Sequence, residues 1–253
     1  MKPEVSLIIP HQNDWKCMRV CLEGILAYTH GEYEVIIVDH APGKIPETFL
    51  QRSRLTVIRH PPGLGRAASL NLGMKRARGE YILWLSPYAV PSHRWLAQLL
   101  AVFKARDRAG MAGPVTNRGN AKQKLSIPFK TISKIHRFSN QFNHSNPTRW
   151  KETEVLSGFC VLFPRRLVDE IGWLDERFGD GIHAEADYCR RVRRAGYSLI
   201  IAADTYVHQL AKKPLSKEEV RDQIKIRKQN QKYYEYKWFY LQDHNGGQST
   251  LHP

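Results

Sequence analysis

Five short runs of apolar residues lie in the first half of the chain, and each is long enough for one buried strand. The segments between them repeat apolar residues at helical spacing, as in the helices predicted after Asp14 and from Gly65 to about Ala77. Strands that alternate with helices indicate an α/β fold with a mostly parallel sheet, because parallel strands need crossover connections. The five runs are Val5–Pro10, Tyr33–Asp39, Leu55–His60, Tyr81–Leu85 and Ala109–Val115.

The second half of the chain continues this pattern with shorter strands and two helices. One helix is predicted from His183 up to Gly196, which suits a left-handed helix cap. Ser216, with Glu219 three residues later, forms a capping box that predicts the start of a long C-terminal helix. The predicted strands are Ser157–Pro164, Leu199–Ala202 and Tyr206–His208.

Polar residues stand where the predicted parallel strands end, and ligands of such sheets bind at those carboxyl ends. An acid such as Asp39 suits a ribose or a base edge, although it suits a strand-end turn equally well. The histidines either contact a ligand in a shared crevice or are ordinary surface residues. Gly63 and Gly65, followed by Arg66, offer backbone N–H groups and a cation to a phosphate. The strand-end residues are His11, Asp39, His40, His60 and Ser86.

Two acidic residues, Glu185 and Asp187, fall in the first turn of the helix predicted from His183. A helix dipole stabilises carboxylates there, so one interpretation is that both acids serve only the helix terminus. The other is that one of them is a general base that takes a proton from a hydroxyl at the mouth of a cleft. The local sequence does not distinguish these interpretations.

The main further indication from composition is the net positive charge. The protein has 253 residues and a formal net charge of +15, which favours an anionic partner such as a phosphorylated substrate, an acidic membrane or nucleic acid. Its four cysteines form no C-x-x-C pair, which argues against a zinc site and fits a cytosolic protein. The N-terminus does not resemble a signal peptide, and no apolar run approaches the ~18 residues of a spanning helix.

The basic residues cluster in the C-terminal tail and from Arg108 to Lys151, where nine Lys or Arg residues occur without any Asp or Glu. A short basic amphipathic helix is predicted within this acid-free stretch. It either lies on an anionic surface or packs its apolar face on the core, and the pattern favours neither. Its apolar residues are Ile132, Ile135, Phe138 and Phe142, and the neighbouring cations are Lys130, Lys134 and Arg137.

Eight short motifs and the tail Asn230–Trp238 resemble the family 2 glycosyltransferases with the GT-A fold, and the resemblance covers about residues 4–240. Each motif is modest alone, but eight in the family's order are specific. The resemblance implies a Rossmann-like, mostly parallel central sheet flanked by helices, with a C-terminal helical tail. The motifs are Val5-Ser-Leu-Ile-Ile-Pro10 with Asn13, Glu34-Val-Ile-Ile-Val-Asp39, Gly65-Arg-Ala-Ala-Ser-Leu-Asn71-Leu-Gly73, Arg78-Gly-Glu-Tyr-Ile-Leu-Trp-Leu85, Ser157-Gly-Phe-Cys160, Ile171-Gly-Trp-Leu-Asp-Glu-Arg-Phe178, Glu185-Ala-Asp-Tyr-Cys189 and Arg193-Arg-Ala-Gly-Tyr197.

The resemblance also implies a nucleotide-sugar donor, inversion at the anomeric carbon and a role for several residues. Glu185 falls on the position of the family's catalytic base, with Asp187 as its neighbour or an acceptor contact. A single displacement needs such a base and a positive group on the departing diphosphate. Pro10, Asn13 and Asp39 match positions that hold the nucleoside. The full set of predicted donor-binding residues is Pro10, His11, Asn13, Asp39, His60, Gly65, Arg66, Asn71, Ser86 and Tyr88.

The chain departs from the family after the fourth strand, where the family usually places an Asp-containing motif that binds Mn²⁺ or Mg²⁺. Here the segment Ser86-Pro-Tyr-Ala89 has no carboxylate, so two ligands suited to a hard cation are missing. His208 matches a position that sometimes completes the metal site, but it is equally a strand-end histidine. Three outcomes are open: a weakly bound divalent metal, its replacement by cations such as Arg66, or an inactive protein.

We therefore predict an inverting glycosyltransferase that moves a sugar from a UDP- or dTDP-linked donor to a hydroxyl of a glycan or lipid-linked acceptor in cell-envelope polysaccharide synthesis. The protein would be cytoplasmic, on the inner face of an anionic membrane. Residues 1–115 would bind the nucleotide sugar, residues 116–210 would form the acceptor and catalytic half of the same domain, and residues 211–253 a C-terminal helix and tail. The alternatives are an inactive GT-A-like nucleotide- or glycan-binding protein and a nucleic-acid-binding protein, for which no motif is present.

Overall fold

The computed structural model describes residues 2–11, 14–40, 45–46, 49, 54–61, 63–179 and 183–240 of the chain. Within these residues, an eight-stranded sheet forms the centre of the fold and a two-stranded sheet lies beside it. The strands are β1 (Val5–His11), β2 (Tyr33–Asp39), β3 (Leu55–Arg59), β4 (Tyr81–Leu85), β5 (Ala89–Val90), β6 (Ala109–Val115), β7 (Lys151–Thr153), β8 (Cys160–Pro164), β9 (Ser198–Tyr206) and β10 (His208–Gln209).

The strands of the large sheet follow the order β3-β2-β1-β4-β8-β6-β9-β7. The pairs β2–β3, β1–β2, β1–β4 and β6–β9 are parallel. The pairs β4–β8, β6–β8 and β7–β9 are antiparallel. The predicted parallel character therefore holds for the first four strands, whereas β7 and β8 bring antiparallel pairing into the second half.

The helices begin and end close to where the local sequence predicts. They are α1 (Trp15–Tyr28), α2 (Arg66–Arg76), α3 (Trp95–Ala105), α4 (Ile132–Phe142), α5 (Arg166–Ile171), α6 (His183–Arg194) and α7 (Lys217–Glu235). Asp14 accepts a hydrogen bond from the backbone N–H of Cys17 and caps α1. Ser216 and Glu219 form the predicted capping box at the start of α7.

The central strands are buried on both faces, because successive side chains of a strand point to opposite sides of the sheet. Leu7 of β1 belongs to the core between the sheet and helices α1 and α3, whereas Ile8 belongs to the core beneath α2 and α6. In that second core the rings of Trp84 and Tyr188 lie 5.2 Å apart between centroids. This contact fixes α6, the helix that carries the two predicted acids, against the sheet.

The start of α2 lies directly against the segment that precedes α6. A Cβ atom on Gly65 would stand 2.7 Å from the carbonyl carbon of Gly179, so only glycine allows this approach. The backbone N–H of Ala67 donates to the carbonyl of Gly179 at 3.3 Å. Arg66 is thereby brought close to the first turn of α6.

Helix α4, the predicted basic amphipathic helix, turns its apolar face towards the core. Ile135 is buried, and the rings of Phe138 and Tyr206 pack edge to face with centroids 5.2 Å apart. The apolar face is therefore used for packing, and the charged residues face solvent. The exposed cations here are Lys134 and Arg137 within the helix and Lys130 two residues before it, and the three are called the α4 cations below.

The two short strands predicted after residue 198 are one longer strand, β9, followed by β10. The polar residues Asp204 and Thr205 do not interrupt β9, because both are buried and hydrogen-bonded. Gln98 Nε2 donates to the carbonyl of Asp204 and to the hydroxyl of Thr205, and the backbone N–H of Asn146 donates to Asp204 Oδ2. β10 then leaves the large sheet and pairs with β5.

The C-terminal helix α7 is exposed over residues 217–229 and packs only near its end. Asn230 is buried and donates to the carbonyl of Phe178 at 2.6 Å. The π-helical turn Tyr236–Tyr240 that follows buries Trp238. Of the helices that the structure describes, none combines the length and apolar character needed to span a membrane.

Candidate active site

The ends of β1, β2 and β3 bring several predicted donor residues together. Pro10 is buried within β1, and His11 Nδ1 lies 2.9 Å from Asp39 Oδ1 with both side chains buried. His11 Nε2 is buried without a hydrogen-bond partner among the described residues. The backbone N–H of His60 donates to the carbonyl of Asp39, but the His60 side chain is exposed. Asn13, predicted to join this group, lies outside the described residues.

A polar chain connects the end of β2 with the start of α2. His40 Nε2 lies 2.8 Å from the hydroxyl of Ser69, which donates to the carbonyl of Gly65 at 2.9 Å. The start of α2, with Gly65 and Arg66, therefore adjoins the strand ends that carry Asp39, and this edge of the sheet is called the crevice below. A helix N-terminus at such an edge offers N–H groups to a phosphate.

Asn71, another predicted donor residue, makes its hydrogen bonds to the segment that precedes α6. Its Nδ2 donates to the carbonyl of Leu174 at 2.9 Å and to Glu176 Oε1 at 2.8 Å. Its Oδ1 accepts from the backbone N–H of Leu174 at 3.0 Å. The buried side chain therefore links α2 to the segment before α6, and both of its polar atoms are used in these hydrogen bonds.

β10 brings His208 back to the segment that follows β4. His208 pairs with Val90 in the short β10–β5 ladder, and the backbone N–H of Leu210 donates to the carbonyl of Tyr88. The hydroxyl of Ser86 accepts a hydrogen bond from the backbone N–H of Tyr88. Ser86, Tyr88 and His208 are therefore neighbours, although they are far apart in the chain.

The side chains at this point do not fit a hard divalent cation. Such a cation prefers carboxylates and other oxygen ligands, whereas Ser86, Tyr88 and His208 offer two hydroxyl groups and one imidazole. His208 Nδ1 is hydrogen-bonded to the hydroxyl of Tyr206 at 2.8 Å. Burial, and to a smaller extent the positive charge of Arg118, lowers the pKa of His208 to about 4. Throughout the described residues, no group of three or more His, Cys, Asp or Glu is arranged to hold a metal.

Glu185 stands in the first turn of α6, and its carboxylate contacts Arg66 at the start of α2. Glu185 Oε1 accepts a hydrogen bond from Arg66 Nε at 2.7 Å, while Arg66 Nη2 donates to the carbonyl of Gly158 at 2.7 Å. A Cβ atom on Gly158 would approach the Glu185 carboxylate carbon to 2.2 Å, so glycine is required for Glu185 to hold this position. Sequence reasoning named Glu185 and Arg66 for separate roles and missed both their ion pair and Gly158, for which the only signal was the Ser157-Gly158 motif.

Asp187 points away from Glu185, because side chains two residues apart do not share a helix face. Its side chain is fully buried, and it accepts hydrogen bonds from Arg191 Nε at 3.0 Å and Trp238 Nε1 at 2.9 Å. Lys237 Nζ forms an ion pair with the same carboxylate at 2.8 Å. The two acids are thus separated: Glu185 contacts the start of α2, and Asp187 anchors the C-terminal segment.

An open pocket of about 950 Å³ lies in front of Glu185, between residues 154–158, α6 and α7. A hydroxyl group that enters this pocket can reach the Glu185 carboxylate. The wall combines Glu185 and a second acid, Glu154, with cations and an aromatic ring. It includes Ser157, Gly158, Glu185, Arg190, Arg194 and Tyr234.

Comparison with known proteins places the chain in a family. The family model described as glycosyl transferase family 2 matches residues 6–172. Glycosyltransferase GlyG of Streptococcus pneumoniae is 33% identical over 87 residues, which cover 32% of this chain and 29% of that protein. The O-antigen biosynthesis protein RfbC of Myxococcus xanthus is 25% identical over 221 residues, which cover 80% of this chain and 17% of that protein.

A solved structure extends the comparison to the whole fold. The mannosyltransferase PcManGT from Pyrobaculum calidifontis, in complex with GDP-Man and Mn²⁺, is 19% identical with a TM-score of 0.64, covering 99% of this chain and 66% of that chain. This likeness confirms the predicted GT-A fold. The chain spans less than a third of the two curated relatives. The family model, however, covers well over half of the chain, and the chain therefore belongs to glycosyl transferase family 2.

Proposed function

We propose that this protein transfers a sugar, with inversion, from a nucleotide-sugar donor to a hydroxyl group of a glycan or lipid-linked acceptor. The observation that carries this proposal is the position of Glu185, which contacts Arg66 at the edge of the crevice and lines the open pocket. In an inverting transfer the hydroxyl attacks the anomeric carbon from the face opposite the leaving diphosphate. The crevice suits the donor, and the pocket suits the acceptor.

Glu185 accepts the proton of the acceptor hydroxyl as the oxygen bonds to the anomeric carbon. The bond from that carbon to the diphosphate breaks with its electron pair on the phosphate oxygen, and the nucleoside diphosphate leaves. Asp39 and His11 hold the nucleoside of a UDP- or dTDP-linked sugar. In this proposal residues 1–115 bind the donor and residues 116–210 bind the acceptor, while Arg66 contacts both sides.

The departing diphosphate needs positive charge, and we propose that side chains supply it in place of a divalent cation. Arg66 has several N–H groups, so it can contact Glu185 and a phosphate through different nitrogen atoms. Lys212 is a second candidate, because its ammonium lies 5.4 Å from the centre of the Tyr88 ring. The solved mannosyltransferase binds Mn²⁺, and we expect this chain to differ from it in metal dependence.

Arg66→Ala is expected to weaken the binding of a nucleoside diphosphate by about tenfold or more, because a charge-assisted hydrogen bond to phosphate is lost. Mn²⁺ is expected to change the affinity of the wild-type protein by less than this. Calorimetric titration of UDP, dTDP and GDP, with Mn²⁺ and with EDTA, measures both effects. Arg76→Ala is the control, since it removes the same charge from the exposed end of the same helix. A tenfold gain from Mn²⁺ with no effect of Arg66→Ala would show that a metal holds the diphosphate.

An inactive nucleotide- or glycan-binding protein is the second candidate function. It is favoured by the lack of a carboxylate in the segment Ser86-Pro-Tyr88. Donor turnover decides between the two. Release of nucleoside diphosphate from a sugar donor supports the enzyme, whereas nucleotide binding without turnover over a panel of donors and acceptors supports the inactive protein.

We also propose that the acid-free stretch, residues 108–151, docks the protein on an anionic membrane surface. The α4 cations are exposed, while the apolar face of α4 is packed on the core. Docking would therefore be electrostatic and would not insert apolar side chains into the lipid.

Replacement of the three α4 cations by glutamine is expected to weaken vesicle binding by about 1 kcal/mol per charge. Because the contact is electrostatic, binding of the wild-type protein should fall as the salt concentration rises. Cosedimentation with phosphatidylserine vesicles measures both effects. A variant with Lys16, Arg19 and Arg166 replaced by glutamine has the same net charge and serves as the control. The proposal fails if the wild-type protein does not bind these vesicles at low salt, or if the two variants bind them equally well.

A further inference from the structure

The four arginines of α6 use their guanidinium groups in different ways. Arg191 turns inward to the buried acid of its own helix. Arg193 Nη2 lies 3.5 Å from Glu154 Oε1, and both residues line the pocket in front of Glu185. Arg190 and Arg194 have no carboxylate within ion-pair distance in the part of the chain that the structure describes. These last two cations therefore keep their charge available for another group.

An aromatic platform from the C-terminal segment holds these two arginines. The guanidinium carbon of Arg190 lies 4.5 Å from the ring centre of Trp238 and 5.2 Å from that of Phe239, and Arg194 lies 5.5 Å from Trp238. Trp238 is itself fixed, because its Nε1 donates to Asp187 Oδ1 at 2.9 Å. A guanidinium that stacks on a ring keeps the N–H groups on its edge for hydrogen bonds. The two cations are thus positioned before any ligand arrives.

The same two arginines line the pocket in front of Glu185. With a rise of 1.5 Å per residue, the Cα atoms of Arg190 and Arg194 lie about 8 and 14 Å along the helix from that of Glu185. They do not share the helix face of Glu185, and they line the same pocket because the pocket extends around α6. A solvated helix face would explain the exposure of Arg194, but not the stacking of both guanidinium groups on Trp238.

We propose that Arg190 and Arg194 bind a phosphate group of the acceptor, so that the acceptor is a phosphorylated sugar or a phosphate-linked glycan. The proposal rests on the proposed glycosyl transfer, because it names the substrate class for the pocket in front of Glu185. Guanidinium groups bind phosphate through pairs of parallel N–H···O hydrogen bonds. Their distance from Glu185 along and around α6 suits a phosphate that is separated from the accepting hydroxyl by at least one sugar ring.

Calorimetric titration with a panel of hexose and N-acetylhexosamine 1-phosphates tests this proposal, with matched methyl glycosides and inorganic phosphate as comparisons. Each titration is made with and without UDP. The wild-type protein is expected to bind at least one sugar phosphate at least tenfold more tightly than the matching glycoside. Arg190→Gln/Arg194→Gln is expected to lower that affinity by about tenfold or more, as charge-assisted hydrogen bonds are lost. Arg190→Lys/Arg194→Lys keeps the charge but not the paired N–H groups, so we expect its affinity to lie between those of the wild type and the glutamine variant.

Arg19→Gln/Arg166→Gln removes the same number of charges from exposed positions elsewhere and should bind as the wild type does. Thermal melting of each variant checks that the loss of stacking on Trp238 has not unfolded the protein. The proposal is overturned if no sugar phosphate binds the wild-type protein, or if the glutamine variant binds as tightly. It is also overturned if inorganic phosphate alone binds as tightly as the sugar phosphates, since the pocket would then hold an anion and not an acceptor.

Two further measurements separate the remaining outcomes. The first compares a sugar phosphate carried on a short prenyl chain with the free sugar phosphate. Tighter binding of the prenyl compound indicates a lipid-linked acceptor, and equal binding indicates a water-soluble one. Both results support the proposal. Slow hydrolysis of donors by the wild-type protein, without acceptor, reports on the proposed function alone. Hydrolysis without binding of sugar phosphates overturns the phosphorylated acceptor only. Arginine-dependent binding without any donor turnover overturns the glycosyl transfer and leaves an anion site.

Discussion

Glu185→Gln is expected to lower the rate of sugar transfer by about 10²–10⁴-fold while nucleotide binding stays near that of the wild type. The amide has the size of the carboxylate, and its oxygen can still accept the hydrogen bond from Arg66 Nε. It cannot, however, take the proton of the acceptor hydroxyl. The rate is measured as nucleoside diphosphate released in the presence of acceptor, and nucleotide binding is measured by calorimetry.

The matched control for this prediction is Glu152→Gln, which changes an exposed acid of β7 in the same way. We expect it to transfer sugar at the wild-type rate. Near-normal transfer by Glu185→Gln would remove the base role from Glu185. A loss of nucleotide affinity as large as the loss of rate would instead indicate that the substitution disturbs the crevice through Arg66.

Asp187→Asn is expected to lower the free energy of unfolding by about 3 kcal/mol, at the lower end of the range for breaking a buried ion pair. The amide has no charge, so it leaves Arg191 and Lys237 without their buried counter-ion, and it competes less well for the N–H of Trp238. We take the lower end because Lys237 keeps its contact with Asp175 at 2.8 Å. Urea unfolding measures the change.

Glu23→Gln provides the comparison, because it breaks the pair of Glu23 with Arg19 at 3.6 Å, in which both side chains are exposed. Such pairs contribute about 0.5 kcal/mol or less. If Asp187→Asn is as stable as this control and yet transfers sugar as slowly as Glu185→Gln, Asp187 takes part in the chemistry. If it is destabilised but retains the wild-type rate while folded, its role is to anchor the C-terminal segment.

The elements were predictable because each depends on residues that are close in the chain. The apolar run Tyr33–Asp39 is strand β2 with the same bounds, and the helix expected after Gly65 is α2. The capping box at Ser216 is made by residues three apart, so the local sequence suffices to identify it. The same holds for the position of Glu185 in the first turn of α6, which follows from the helical spacing and the family motif.

The direction of the strands was not predictable in the same way. A strand that is buried on both faces shows the same apolar pattern whether its neighbours are parallel or antiparallel. The run Ser157–Pro164 therefore predicted a strand, which the structure begins at Cys160 as β8. Its place between β4 and β6, antiparallel to both, depends on the path of the whole chain. Asp204 and Thr205 likewise suggested a break in β9 until their distant hydrogen-bond partners were known.

The family, the order of the elements and the candidate base could be read from local patterns and motifs along the chain. The contacts of the functional side chains could not be read in this way. Arg66 meets Glu185 across 119 residues, and Trp238 meets Asp187 across 51 residues. These partners are brought together by the packing of α2 and the C-terminal segment around α6. That packing results from burial summed over the whole core, and for this reason no local pattern predicts that one acid faces the pocket while the other is buried.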